Sequence, residues 1–461
     1  NDWHVVEAKY GTLLEEAFLL PKGEILREAI DNMSNQVYQR LLRVNSEELR
    51  TWLPSYTAYP DDMKKFISNW DDKELSRLFH NLGGHDFSTL RNAFKETDKI
   101  DAPSVVLAYT LKGYRLPSVG DPQNHSVTLS NSQMEELRDS LNIQKGNVWA
   151  GFDDASDENR FIQAISERLD RSEVITPPPD ESIPRDFGRT YSGYMSTQQI
   201  FGLVLTDMSR SLGDLSKRIV SVSPDVASST NLGGWINRVG VWKLNESENL
   251  PEEGIVRALR WDESKNGQHI ELGISENNLF MMLGQLGLSH EMFGQTLFPI
   301  GTVYDPFVRR GLDALFYGVY SGSRFIFVGT PSGITLGPEG GAHQSVVTAS
   351  IGIDLPETSY YEPCFGIELE WIVLHALENI RQRTESTYLR LTTKRIDQQL
   401  LKLPVDESCI EELRINVIQG AYRIVDRSAE PEYLPGENVV NVFATGAMVP
   451  EAINSSNSLY F

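Results

Sequence analysis

Glu271-Leu-Gly-Ile-Ser-Glu-Asn-Asn278 is the stretch from which the rest of the chain is read. A Gly-Ile turn leads into Glu276, and the apolar run Asn278-Leu-Phe-Met-Met-Leu-Gly-Gln-Leu-Gly-Leu288 follows at once. This order describes a loop passing into a buried helix, with one carboxyl group at the junction. A carboxyl group in such a place can serve as a proton shuttle. The plainer reading is a helix-start glutamate that complements the positive end of the helix dipole, and on spacing alone that preference is the more general one.

Outward from this stretch, strands are expected over 218–223, 296–300, 324–328 and 387–392. Helices are expected over 196–211, 278–288, 307–320 and 365–381. Alternation of this kind suits a parallel sheet covered on both faces. Residues 1–150 carry strand patterns at Trp3-His-Val-Val-Glu-Ala8 and Pro103-Ser-Val-Val-Leu-Ala-Tyr-Thr110. They also carry helical periodicity over 24–42 and a helix over 130–141 capped by Ser130 or Asn131. This region reads as the second half of an α/β layer. Residues 151–190 contain an acidic run and Thr176-Pro-Pro-Pro-Asp-Glu-Ser-Ile-Pro184, the composition of a linker. Residues 191–400 form the next α/β domain, and 401–461 begin another unit, with strands near 413–425 and 439–444. The expected fold class is α/β, with consecutive doubly wound parallel-sheet domains.

The 461 residues suffice for about three domains. A net charge of −22 disfavours nonspecific binding to nucleic acid, which needs clustered Lys and Arg. No apolar run is long enough to span a bilayer, and no secretory or transit pattern is read at the start. Cys364 and Cys409 stand alone, without a CxxC or Cys/His neighbour, and suit a reducing cytoplasm as structural residues. The chain opens at Asn1 without methionine and stops at Ser458-Leu-Tyr-Phe461, just after a strand and helix start, so an incomplete chain is expected.

Four further segments carry chemistry. Leu111-Lys-Gly-Tyr-Arg-Leu-Pro-Ser-Val-Gly-Asp-Pro-Gln-Asn-His-Ser126 follows an expected strand, and loops at the carboxyl ends of parallel strands bind ligands in α/β enzymes. Its His125 could donate to a phosphate or act as acid and base, or it is an incidental surface histidine. In Pro338-Glu-Gly-Gly-Ala-His-Gln-Ser345, glycines allow close backbone approach to a ligand between Glu339 and His343. Thr302-Val-Tyr-Asp-Pro-Phe-Val-Arg-Arg310 offers Tyr304 as a stacking ring or as a core tyrosine. Ser223-Pro-Asp-Val226 ends an expected strand. Gly83-Gly-His-Asp86 is structural, with Asp86 capping a helix over 87–94. Gly333-Ile-Thr-Leu-Gly-Pro-Glu-Gly-Gly341 lacks the lysine and hydroxyl residue of a P-loop.

Gly-Ile-Ser-Glu-Asn-Asn resembles the segment that bears the indispensable glutamate of thiamine-diphosphate enzymes. Lys112-Gly-Tyr and the Gly-x-x-His stretch ending at His343 resemble the homodimeric bacterial pyruvate dehydrogenase decarboxylating component, matched over the middle of such a chain. The resemblance implies transketolase-like domains: 1–150 the second part of the diphosphate-binding domain, 191–400 the pyrimidine-binding domain, and 401–461 the start of a truncated C-terminal domain. It implies that Glu276 activates the cofactor at its aminopyrimidine ring. Tyr304 would stack on that ring and Asp225 would line the pocket. His343 and His125 would handle protons, and Glu339 and Lys112 would hold or polarise the substrate. The cofactors implied are thiamine diphosphate and Mg2+, although no Gly-Asp-Gly metal motif is found here, so no metal ligand is named. The partners implied are a 2-oxoacid, foremost pyruvate, a lipoyl-bearing acyltransferase protein, and a second copy of the chain, with the active site at the homodimer interface.

Two other readings stand beside this one. Asp225 to Asn231 and Gly-Ala-His-Gln also resemble transketolase, but Tyr194 stands where transketolases place a phosphate-binding arginine, and no basic cluster for a sugar phosphate is evident. A non-catalytic scaffold of the same fold would explain the missing metal motif, but not the retention of Glu276, Glu339 and His343.

Overall fold

The computed structural model describes residues 2–170, 182–245, 259–336 and 340–458. The chain divides into two compact units, Asn1–Arg168 and Leu169–Phe461.

In the first unit, β1 (His4–Ala8) is followed by α1 (Thr12–Phe18), α2 (Gly23–Asn32), α3 (Asn35–Arg43), α4 (Ser46–Trp52), α5 (Pro60–Ile67), α6 (Asp72–Phe79) and α7 (Phe87–Thr97). Then come β2 (Ser104–Ala108), α8 (Asn131–Ser140) and α9 (Asp157–Leu169), the last inside the span expected as linker. β1 and β2 pair in parallel, Val5 opposite Val105 and Val6 opposite Val106. Around this pair the core is helical, built from Leu14, Leu26, Leu41, Leu53, Met63 and Phe79. The periodicity over 24–42 is interrupted at Ser34, whose hydroxyl accepts from Val37 N–H and starts a new helix. Ser130 caps α8 in a capping box with Gln133.

Asp86 caps α7 as expected. Its Oδ1 accepts from Thr89 N at 2.9 Å, and its Oδ2 accepts from Thr12 Oγ1 at 2.8 Å and Asn81 Nδ2 at 3.2 Å. One carboxylate thus ties α7 to the start of α1.

The second unit runs β3 (Tyr194–Met195), α10 (Thr197–Ser211), β4 (Ile219–Ser223), α11 (Gly233–Val239), β5 (Val241–Trp242), β6 (Glu263–Ser264), β7 (His269–Glu271), α12 (Glu276–Gly287) and α13 (Ser289–Phe293). It continues with β8 (Phe298–Val303), α14 (Leu312–Tyr320), β9 (Ile326–Gly329), α15 (Thr348–Asp354), β10 (Thr358–Tyr361), α16 (Gly366–Gln382), β11 (Ser386–Arg390), β12 (Ile396–Asp397), α17 (Glu407–Ile418) and α18 (Val449–Ser458). Eight strands form one sheet in the order β10-β11-β9-β8-β4-β7-β5-β6, with parallel pairing throughout. β12 and β3 pair separately, antiparallel.

Both faces of the sheet are covered. Ile326 and Val328 of β9 join a cluster with α10 and α16, while Phe327 joins another with Leu279, Phe280 and Leu283 of α12 and Leu315 of α14. The period-two alternation of β9 thus divides its side chains between two helical layers. All six residues of β8 are buried, which is why these strands read as continuous apolar runs.

Two strand expectations are corrected. Residues 413–425 do not form a strand: α17 occupies 407–418, and Ile410, Leu413 and Val417, spaced by three and four, pack on the core of the unit. The alternation at 439–444 forms no strand either, and Val440, Val442 and Phe443 are exposed. The expected helix over 307–320 begins as a 3-10 turn, Asp305–Gly311, before α14.

Burial pushes the Asp86 carboxyl up, but the donors from Thr89, Thr12 and Asn81 outweigh it and hold it at about 2, below the ordinary 3.8. Asp86→Ala should therefore destabilise the first unit by about 1–2 kcal/mol at pH 7. A depressed carboxylate contributes its stability above its unfolded value and loses it as pH falls toward its folded value. In urea unfolding, the gap between parent and variant should stay constant above about pH 4 and close as pH approaches 2.

Candidate active site

The carboxyl ends of β4, β7, β8, β9 and β11 form one edge of the large sheet, and the second unit's candidate residues gather there. Gly273 turns at φ +69 and Ser275 stands ahead of α12 without a side-chain cap. Glu276 is the first helical residue and is only 8% exposed. Leu279, Phe280 and Leu283, which are fully buried, fix the helix behind it. Glu276 stands in the first turn of α12, at the positive end of the helix dipole. Position also gives it more: Arg310 Nη1 donates to Glu276 Oε1 at 3.0 Å. This contact depends on Gly311, where a Cβ would stand 2.4 Å from the Phe280 ring and 2.8 Å from Glu276 O. Glycine lets the 305–311 turn close onto the start of α12.

The Arg310 guanidinium lies 3.9 Å from the centroid of Phe307. Phe307 packs 5.7 Å from the His343 ring and 6.1 Å from Tyr304, and Tyr304 meets His343 edge-on at 5.8 Å. Tyr304 O–H donates to Ser229 Oγ at 2.7 Å. Glu276, Tyr304 and His343, selected from three separate stretches of sequence, thus belong to one connected cluster. His343 Nδ1 is buried and, among the described residues, has no hydrogen-bond partner. Phe307 and Arg310 complete the cluster and were not singled out from sequence. The available signal was their i, i+3 spacing behind Tyr304, which puts them on one side of a 3-10 turn.

A buried network secures both halves of this cluster. Asp305 is fully buried and accepts from Thr348 Oγ1 at 2.8 Å, Tyr388 O–H at 3.0 Å and Arg390 Nε at 3.1 Å. Arg390 also donates to Glu362 Oε1 at 2.6 Å and to Ser345 O at 2.9 Å. Asp305 adjoins Tyr304, and Ser345 and Thr348 follow His343, so one ion pair sets both segments. Burial alone would lower the Arg390 value, but the charges of Asp305 and Glu362 outweigh it and hold the guanidinium firmly protonated. Burial, reinforced by the Asp305 charge, raises the Tyr388 hydroxyl well above its ordinary value.

Asp225 lies just beyond β4 at φ +66, and its N–H donates to Glu271 Oε1 at 2.6 Å. The same turn carries Ser229, the acceptor for Tyr304.

Lys112 and His125 form a pair in the first unit, with Lys112 Nζ 2.7 Å from His125 Nδ1. Since the ammonium has only donors, the imidazole accepts. Gly113 turns at φ +71, and Asn124 Nδ2 donates to Lys112 O at 2.6 Å, closing the loop between them. Tyr114 stacks flat on His85 at 3.8 Å, and His85 Nε2 accepts from Leu111 N at 2.6 Å. Burial lowers the His85 value, which suits a neutral ring used as an acceptor. Glu339 lies outside the described residues. Among the described residues, no group of three or more His, Cys, Asp or Glu could hold a metal ion, and no helix is long and apolar enough to cross a membrane. Cys364 is buried and Cys409 exposed, and both are free.

Comparison with known proteins places the chain beside one family and one fold. Residues 180–398 match the family described as pyruvate dehydrogenase E1 component middle domain. The pyruvate dehydrogenase E1 component of Cupriavidus necator is 21% identical, over 99% of this chain and 51% of its own length. That of Escherichia coli K12 is 22% identical over 92% and 48%. Among solved structures, transketolase from Leishmania mexicana is similar with a TM-score of 0.57 at 20% identity, covering 82% of this chain and 52% of its own. A Pichia stipitis transketolase complex reaches 0.51 at 17% identity, covering 74% and 49%. These likenesses show a transketolase-like α/β fold. The chain resembles the middle part of a pyruvate dehydrogenase E1 component and spans about half the length of the curated relatives it matches.

Asp305→Asn would remove one of the two carboxylates on the buried Arg390 and leave Glu362 as its charged partner, so the expected cost is that of a weakened buried hydrogen bond to a charged group, about 1–3 kcal/mol. Urea unfolding of the second unit should show a loss of this size, whereas Arg309→Ala, at an exposed neighbour, should change little.

Proposed function

We propose that the chain is the central part of a thiamine-diphosphate-dependent 2-oxoacid decarboxylating enzyme of the pyruvate dehydrogenase type. The observation that carries this is the cluster in which the Glu276 carboxylate, the Tyr304 and Phe307 rings and the unpartnered His343 Nδ1 share one edge. An aminopyrimidine ring is flat and rich in nitrogen, and it requires an aromatic surface and a carboxylate for a ring nitrogen. These residues fit that end of the cofactor. The described residues offer no metal group for the diphosphate end, so magnesium is given no ligand from this chain.

Thiamine diphosphate, when bound, supplies a nucleophilic thiazolium carbon and takes up the electrons released by decarboxylation. The protein's contribution is to place and protonate. The Glu276 carboxylate would exchange a proton with the ring nitrogen, and Arg310 orients that carboxylate. Tyr304 presents its ring to the pyrimidine. His343 Nδ1, buried without a partner, is available to a substrate oxygen. Lys112 offers an ammonium to the carboxylate of the 2-oxoacid and, through its hydrogen bond to Nδ1, orients His125 for proton transfer. Asp225 lines the pocket rim, and Glu339 belongs to the substrate side. Pyruvate is the proposed substrate, the acyl unit passes to a lipoyl group on a partner protein, and the enzyme works as a homodimer in the cytoplasm. Residues 1–150 are proposed as the second part of the diphosphate-binding domain, 191–400 as the pyrimidine-binding domain, and 401–461 as the start of a C-terminal domain.

Glu276→Ala separates the catalytic from the dipole role. As a dipole partner alone, Glu276 would cost about 0.3–1 kcal/mol on removal and leave turnover unchanged. As the proton-transfer group, its loss should lower CO2 release from pyruvate by roughly 10²–10⁴-fold with the fold retained by circular dichroism. Turnover equal to the parent would overturn the assignment.

A further inference from the structure

His269 is fully buried on β7, between β4 and β5 in the sheet. A buried imidazole must satisfy two ring nitrogens, and both are engaged here. Nδ1 lies 2.9 Å from Ser221 Oγ on β4, and Nε2 lies 3.3 Å from Glu271 Oε2. Trp235 Nε1 donates to Ser221 Oγ at 2.8 Å. Indole nitrogen can only donate, so Ser221 receives that proton and passes its own to His269 Nδ1. The imidazole then carries its proton on Nε2 and donates it to Glu271. Glu271 Oε1 in turn accepts from Asp225 N–H at 2.6 Å. Four side chains thus form a chain of hydrogen bonds that ends on Glu271, which accepts from His269 on one side and from one backbone amide on the other.

The Ser-His-Glu order has the connectivity of a hydrolytic triad, but Ser221 is 1% exposed and its oxygen is already bonded to Trp235. No substrate reaches it. The open end of the chain is Asp225, which is exposed and sits at φ +66. Aspartate is one of the few residues with a Cβ that visit the left-handed region, and a fixed hydrogen bond turns that visit into a settled conformation. The hydrogen bond from its N–H to Glu271 does so, and Glu271 is oriented by a histidine that cannot move.

We infer that Glu271 and His269 are positioning residues that hold Asp225 in its left-handed conformation at the rim of the candidate site. The relevance of Asp225 to a ligand rests on the function proposed above, but the hold itself does not. The test is therefore hydrogen exchange, read by mass spectrometry on the purified protein without ligand. Glu271→Ala should speed amide exchange about tenfold in the peptide spanning 223–231, in line with loss of a hydrogen bond to a charged group. Peptides from β8 and β9 should keep the parent rate. Glu271→Gln retains an oxygen for the Asp225 amide and should restore most of the protection. His269→Leu should loosen the same peptide without removing Glu271. Unchanged exchange in Glu271→Ala, a rise spread over the whole sheet, or no rescue by glutamine would each overturn the inference. Absence of thiamine-dependent turnover in the complete parent enzyme that contains this chain would sink the proposed function and leave this result readable.

Discussion

A fully buried carboxylate is costly to remove from water, and Asp305 is retained only because three donors surround it, one of them a guanidinium. That requirement organises the edge of the sheet. Satisfying Asp305 brings Thr348 to the end of β8, and satisfying Arg390 brings the Ser345 carbonyl and Glu362 to the end of β11. The segment bearing His343 is thereby drawn against the turn bearing Tyr304 and Phe307. The candidate site is thus placed by an electrostatic obligation one residue away from it, and not by contacts between its own members.

The same logic recurs at a smaller scale. Asp86 accepts from both sides of a turn in the first unit. Glu368 and Glu370 on α16 accept from Phe365 N and Phe187 N, with tyrosine hydroxyls completing each. Burial raises both of these carboxyls, and their donors oppose the shift without cancelling it. In each case a carboxylate joins segments far apart in sequence, which hydrophobic packing alone would leave with less defined geometry.

Legibility from sequence followed the locality of the signal. β8 and β9 were readable because a strand buried on both faces is a largely continuous apolar run, and β11 was readable from the β-formers Thr387, Tyr388 and Leu389. Caps at Asp86 and Ser130 were readable because their partners are three residues away. α17 was missed because the β-branched Ile415, Val417 and Ile418 at its end read as a strand, and Ile410, Leu413 and Val417 make sense as a helical stripe only against the core on which they pack. The apparent strand at 439–444 failed for the complementary reason: alternation without a neighbouring strand has nothing to pair with. In the site, Glu276 stood out by its local setting, whereas Arg310 and Phe307 did not, because their meaning lies in residues 30 or more positions away.

What the sequence determined by itself was the set of periodicities and turns: which runs are strands, where α12 starts, and that Glu276 stands at that start. These depend on neighbours within one helical turn or one strand. Only the tertiary structure decided which residues meet. The parallel order of β4, β7, β8, β9 and β11 brings their carboxyl ends to one edge, although their connections run through helices of differing length. Whether His343 Nδ1 is left without a partner, or Asp225 is held at positive φ by Glu271, depends on distances set by packing across the sheet, and no window of sequence contains them.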